Sequence, residues 1–118
     1  MSRRTKEELH EIIQSNLQGV DYSSRKMFGG LAFFINRNMF TGTHQADLFV
    51  RLSAEDREEV LSQDGITVFE PRKGMVMSEY VVLSDSVIDT KLKELIQKSI
   101  SYVSTLPPKE PRRKRSES

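Results

Sequence analysis

The segment Lys26-Met27-Phe28-Gly29-Gly30 places two adjacent glycines behind a lysine and an aromatic ring, which opens two chemistries. Glycine backbone amides can close around a phosphate, but that use needs the glycines between a strand and a helix N-terminus. Here they interrupt an alternating apolar pattern, so a β-bulge or a close approach of two backbones is the reading that position favours. The second chemistry is base stacking. Lys26 to Phe33 matches five of the eight positions of the RNA-recognition strand signature, but Gly30 stands where a stacking aromatic is required.

Other reactive groups are sparse. His10 and His44 are the two histidines, and a metal site needs three or four converging ligands. Ser53, His44 and Asp47 spell a nucleophile, base and orienting acid without a spacing that brings them together. Glu7-Glu8 and Glu58-Glu59 fall on helical faces expected to be solvated. There is no cysteine, which removes disulfides, thiolate metal sites and a thiol nucleophile and suits a reducing compartment. No catalytic residue, metal or cofactor is therefore assigned, and a non-enzymatic protein of the cytoplasm is expected, with no membrane segment.

The elements that would position these groups follow from periodicity. Thr5 and Glu8 form a capping-box pattern, and Leu9, Ile12, Ile13 and Leu17 share one face, so a helix is expected over residues 6–17. From Ser24 the period becomes two, through Leu31, Phe33 and Ile35 on one side and Ala32 and Phe34 on the other. Residues 39–43 read as the hairpin partner, and 48–52 as a further strand with Phe49 facing away from Leu48 and Val50. Ser53 caps a short helix to Leu61, 66–69 and 75–83 form a hairpin, and a long helix runs to about Ser104 on Ile88, Leu92, Leu95, Ile96, Ile100 and Val103. The order α-β-β-β-α-β-β-α implies an α+β two-layer sandwich, an antiparallel sheet of about five strands with helices on one face.

Length and charge bound the organisation. A chain of 118 residues holds one ordinary domain, expected over residues 1–105, followed by a disordered basic tail over 106–118. The net charge of +1 divides into −2 for the body and +3 for the tail, so the body lacks the field of a dedicated nucleic-acid binder. Lys109, Arg112, Arg113, Lys114 and Arg115 offer an alternative, weak and salt-dependent nucleic-acid contact. Phe34 and Phe49 face opposite to their strands' main apolar sets, so the outer sheet face either presents an aromatic patch suited to a partner or a second copy of the chain, or is covered by the final helix or a loop. With the exposed cations Arg25, Lys26, Arg72 and Lys73 they make up the candidate partner-binding set.

Residues 23–35, then Met39-Phe40, then Asp47 to Leu52, together with the Lys73-Gly74 turn and Met77 to Val82, resemble the N-terminal domain of the TfoX/Sxy family. The most specific part is Arg25-Lys26-Met27-Phe28-Gly29-Gly30, and the resemblance covers about residues 5–104. It implies a two-layer α+β sandwich and a bacterial protein related to competence regulators, which promote transcription together with the cyclic-AMP receptor protein. The chain departs from those regulators where they carry a helical C-terminal domain: only a short basic tail stands there, and a stand-alone form of the N-terminal domain is expected. A regulatory, protein-binding module with a partner in the transcription machinery is the expectation that follows.

Overall fold

Thr5 accepts from the Glu8 amide at 3.1 Å while the Glu8 carboxylate accepts from the Thr5 amide at 2.7 Å, so the capping box opens helix α1 (Lys6–Ser15) as its sequence requires. A computed structural model describes residues 4–27 and 29–107 of the chain. After α1 come β1 (Ser23–Met27), β2 (Gly30–Ile35), β3 (Asn38–His44), β4 (Asp47–Arg51), α2 (Ala54–Leu61), β5 (Ile66–Arg72), β6 (Met75–Leu83) and α3 (Asp85–Ser104). The six strands form one antiparallel sheet in the order β1-β2-β3-β4-β6-β5.

The sixth strand corrects the single run expected from Ser24 to Ile35. Met27 pairs with Gly30, and the chain doubles back between them, so the run becomes the hairpin β1-β2. Gly29 adopts φ 71°, a left-handed value that glycine reaches without a Cβ penalty. Gly30 serves differently: a Cβ there would lie 2.1 Å from the Thr43 carbonyl oxygen. The pair is thus a turn followed by a close backbone approach. Asn36 and Arg37, with φ 51° and 66°, make the next hairpin turn, as expected for a two-residue connection.

All three helices pack on one face. Leu9, Ile13 and Leu17 from the α1 region, Val60 from α2, and Val87, Ile88, Leu92, Leu95, Ile96 and Val103 from α3 share a core with Phe33, Phe40, Leu48, Val50, Val81 and Leu83 of the sheet. Helix α1 stops two residues short of the expected end, yet Leu17 remains buried. Leu106 also packs against this core, and the Pro107 carbonyl accepts from Asn38 Nδ2 at 3.1 Å, so the body extends two residues past the expected boundary. The remainder of the expected tail, 108–118, lies outside the described residues, as does Phe28.

A second core fills the other face. It contains Ala32, Phe34, Met39, Phe49, Phe69 and Tyr80, with Met27, Met77 and Val82 against it. Among the described residues, no helix supplies it. The cause is a break in register: Val68 pairs with Val81, but the next residue, Phe69, pairs with Met77. One step along β5 thus answers four along β6, a large bulge that bends the far part of the hairpin. In a flat sheet β5 would lie about 14 Å from β3. Instead the Phe69 ring stands 5.7 Å from that of His44 at the end of β3, so the sheet curls and closes over its own outer face.

Candidate functional site

The closed outer face decides the standing of two candidate residues. Phe49 is fully buried and Phe34 is 8% exposed, so neither offers an open apolar surface to a partner or a second copy. Phe49 and Phe69 stack with centroids 4.5 Å apart, and Tyr80 meets Phe49 edge-on at 5.7 Å. The Tyr80 hydroxyl donates to the Met39 carbonyl at 3.1 Å, and burial pushes its pKa up. Of the two readings open from the sequence, an exposed patch or one covered by the final helix or a loop, the face is covered, but by the sheet's own far hairpin, since alternation shows which way a side chain points and not what folds over it.

The cations are distributed along opposite sheet edges. Arg25 on β1 lies over the Phe34 ring, its guanidinium carbon 4.8 Å from the centroid, and closes that corner of the second core. Lys26 points to the helix face beside Leu31. Arg72 and Lys73 are exposed at the β5-β6 turn, on the other edge. The structure therefore does not join the four into one site. Lys109, Arg112, Arg113, Lys114 and Arg115 lie outside the described residues.

What the fold does assemble is an open groove of about 630 Å³ between α1 and the β1-β2 hairpin. Lys6, Glu7 and His10 form its helix side, and Lys26, Met27, Gly29 and Gly30 its hairpin side. Lys6 Nζ donates to the Gly29 carbonyl at 3.0 Å. His10 Nε2 lies 2.8 Å from Thr43 Oγ1, which already accepts from the Leu31 amide at 3.1 Å. A threonine hydroxyl has one proton and two lone pairs, so beside the Leu31 amide it has both a proton to donate to a neutral imidazole and a lone pair to accept from a ring N–H. Lys6 did not stand out in the sequence, and His10 did so only as a candidate metal ligand. His10 lies off the apolar stripe of α1, and its partner Thr43 is 33 residues away, a separation that periodicity does not register.

Burial pushes the His10 pKa down, Glu7 opposes this, and Lys6 acts with the burial. A folded-state pKa below the unfolded one means that the unfolded chain binds protons first as the pH drops. The stability held by neutral His10 is thus present above about pH 6.5 and declines as the pH falls through its depressed pKa. Urea titrations at about pH 7.5 and 5.5 should show a larger loss for the wild type than for His10→Gln. Equal losses in the two proteins would disprove the assignment.

The other sequence-level constellation does not form. His44 and Asp47 pair at one end of the β3-β4 hairpin, whereas Ser53 caps α2 past the far end of β4, accepting from the Asp56 amide. His44 instead meets the Phe69 ring edge-on. Among the described residues, no group of three or more His, Asp or Glu side chains is placed to hold a metal ion. No described helix is long and apolar enough to cross a membrane. A second groove, about 550 Å³ between α2 and α3, has its lysine engaged: Lys98 pairs with Asp56 at 3.6 Å.

In a comparison with known families, the model of the TfoX N-terminal domain matches residues 15–102. That span runs from the end of α1 to the last turn of α3 and takes in the whole sheet. No curated protein matches the chain.

Proposed function

The chain belongs to the TfoX N-terminal domain family, and from that premise we propose that it is a non-enzymatic regulatory module that acts on transcription by contacting a protein partner in the cytoplasm. The observation that carries this reading is the contrast between a closed sheet and one open corner. Both sheet faces are filled by the protein's own side chains, while β1 is exposed at four of its five residues and bears Arg25 and Lys26 next to Lys6 of α1. Cations gathered at an exposed edge of a body whose net charge is −2 favour an acidic partner surface. The histidines support the non-enzymatic reading, since one is committed to Thr43 and the other packs against Phe69.

Transcript profiling of cells lacking the gene provides the test. Loss of the protein should change a defined set of transcripts, wild type should restore them, and Lys26→Glu should not, at equal protein level. Full restoration by Lys26→Glu would remove the β1 corner from the proposal. Restoration lost only on deleting residues 109–118 would transfer the contact to the basic tail and to nucleic acid.

A further inference from the structure

The two edges of the sheet are built differently. Strand β5 carries Pro71, which has no amide to donate, and its register with β6 shifts twice. Both are devices that stop a sheet from accepting another strand. Strand β1 has neither. Its five residues pair with β2 in unbroken register from Ser23 with Phe34 to Met27 with Gly30, and among the described residues no strand lies on its other side.

The direction of its backbone groups follows from the ladder. Met27 and Gly30 flank a two-residue connection, so they form the hydrogen-bonded pair that such a hairpin requires, and pairs alternate from there. Lys26 and Leu31 form the next, non-bonded pair. The Leu31 amide confirms this, because it points away from β1 and donates to Thr43 Oγ1 at 3.1 Å. The amides and carbonyls of Ser24 and Lys26 therefore point outward, spaced as a strand's pairing groups are.

We propose that β1 receives an acidic extended peptide segment of a partner protein as a seventh strand, its side chains facing the helices entering the groove beside Lys26 and Lys6. The proposal rests on the interaction reading above and names the chemistry of the partner. Main-chain bonds to Ser24 and Lys26 supply affinity, and pockets for alternate side chains supply selection. Period two places every second side chain of the incoming strand on the groove side, against Lys26, Lys6, His10 and the single acid Glu7. The side chains between them face Arg25 and Met27. Charge selects the occupant: a second β1, paired antiparallel through its outward groups at Ser24 and Lys26, would set Arg25 against its own copy and add a second Lys26 to the cationic groove, and the tail at +3 is repelled by the same cations. Lysine on an edge normally guards it. Against Asp or Glu it becomes the point of attraction.

The test uses the full chain and a fluorescent hexapeptide of alternating Glu and Val, followed by polarisation and amide exchange. The expected result is saturable binding that weakens about tenfold or more between 50 and 300 mM salt and about tenfold with Lys26→Glu. The Ser24 and Lys26 amides should gain protection. Ser24→Pro removes one outward amide without touching the ladder to β2, and should abolish binding. A peptide N-methylated on its edge-facing amides should fail to bind, whereas methylation of the other amides should be tolerated, a comparison independent of the protein's folding. Equal binding of a control hexapeptide of alternating Lys and Val, or of both N-methylated peptides, would overturn the proposal, as would no binding at millimolar peptide. If Ser24→Pro restores the transcript set of the deletion strain while Lys26→Glu does not, strand addition falls and the regulatory reading stands. If the peptide binds as described but deletion leaves all transcripts unchanged, the regulatory reading falls and strand addition stands.

Discussion

Phe69→Ala is expected to lower the unfolding free energy by about 3–5 kcal/mol, close to the limit for a core aromatic. The ring is 2% exposed and makes its contacts across the curl of the sheet: Phe49 at 4.5 Å, His44 at 5.7 Å and Tyr80 at 6.4 Å between centroids. It is also the first residue past the register break, so its loss removes the anchor that holds the bent part of β5-β6 over the outer face. The cavity cannot be filled by a helix, because every helix lies on the opposite side. Phe69→Leu keeps most of the apolar volume and should cost less than half as much. Urea unfolding followed by circular dichroism measures both, and a loss below about 1 kcal/mol for Phe69→Ala would mean that the outer face is not closed by this residue.

Gly30→Ala is expected to destabilise by more than about 3 kcal/mol or to prevent folding, whereas Gly29→Ala should cost about 1 kcal/mol. The adjacent glycines differ in what surrounds them. A methyl on Gly30 would stand 2.1 Å from the Thr43 carbonyl oxygen and 2.4 Å from its hydroxyl, so β2 or β3 must move. Thr43 also accepts from Leu31 and bonds His10, and any shift therefore loosens the contact of α1 with the sheet. On Gly29 the nearest atom is the Gln45 side chain at 4.0 Å, and only the φ of 71° resists substitution. Denaturation midpoints of the two variants check the order. The reverse order would place the tight approach at the wrong glycine.

The helices and the inner core were legible because each is encoded locally. Thr5 with Glu8 marks one start, Ser53 another, and the three-and-four spacing of Ile88 to Val103 marks a face. The outer layer was not legible for a physical reason. Phe34, Phe49 and Phe69 alternate correctly in their strands, and nothing in alternation distinguishes an open face from one that the far end of a hairpin will cover. The bulge at Val68/Phe69 arises from pairing between segments, and pairing register is a property of two strands together. Likewise, Gly29-Gly30 was readable as a bend or close approach, but the full reversal depends on the pairing of β1 with β2, and the close approach on Thr43, thirteen residues past Gly30. Of the candidate contact residues, Arg25 and Lys26 remain at an exposed edge, with a groove that adds Lys6 and His10 to them.

Closing the outer face changes where a partner is sought. An exposed aromatic sheet would have suited a broad apolar interface. The structure leaves instead a narrow cationic edge at β1, with no strand on its outer side among the described residues. Among the described residues the exposed large apolar side chains are Leu61 on α2 and Val68, Met75 and Val76 on the β5-β6 hairpin, and β1 has none.

The most direct measurement is site-specific photocrosslinking in cells, with a photoreactive residue placed in turn at positions 24, 61 and 73 of the full chain. Contact through the β1 edge predicts a protein adduct from position 24 that disappears when Lys26→Glu is added, and none of comparable yield from 61 or 73. Adducts from 61 or 73 that persist with Lys26→Glu, with none from 24, would contradict it.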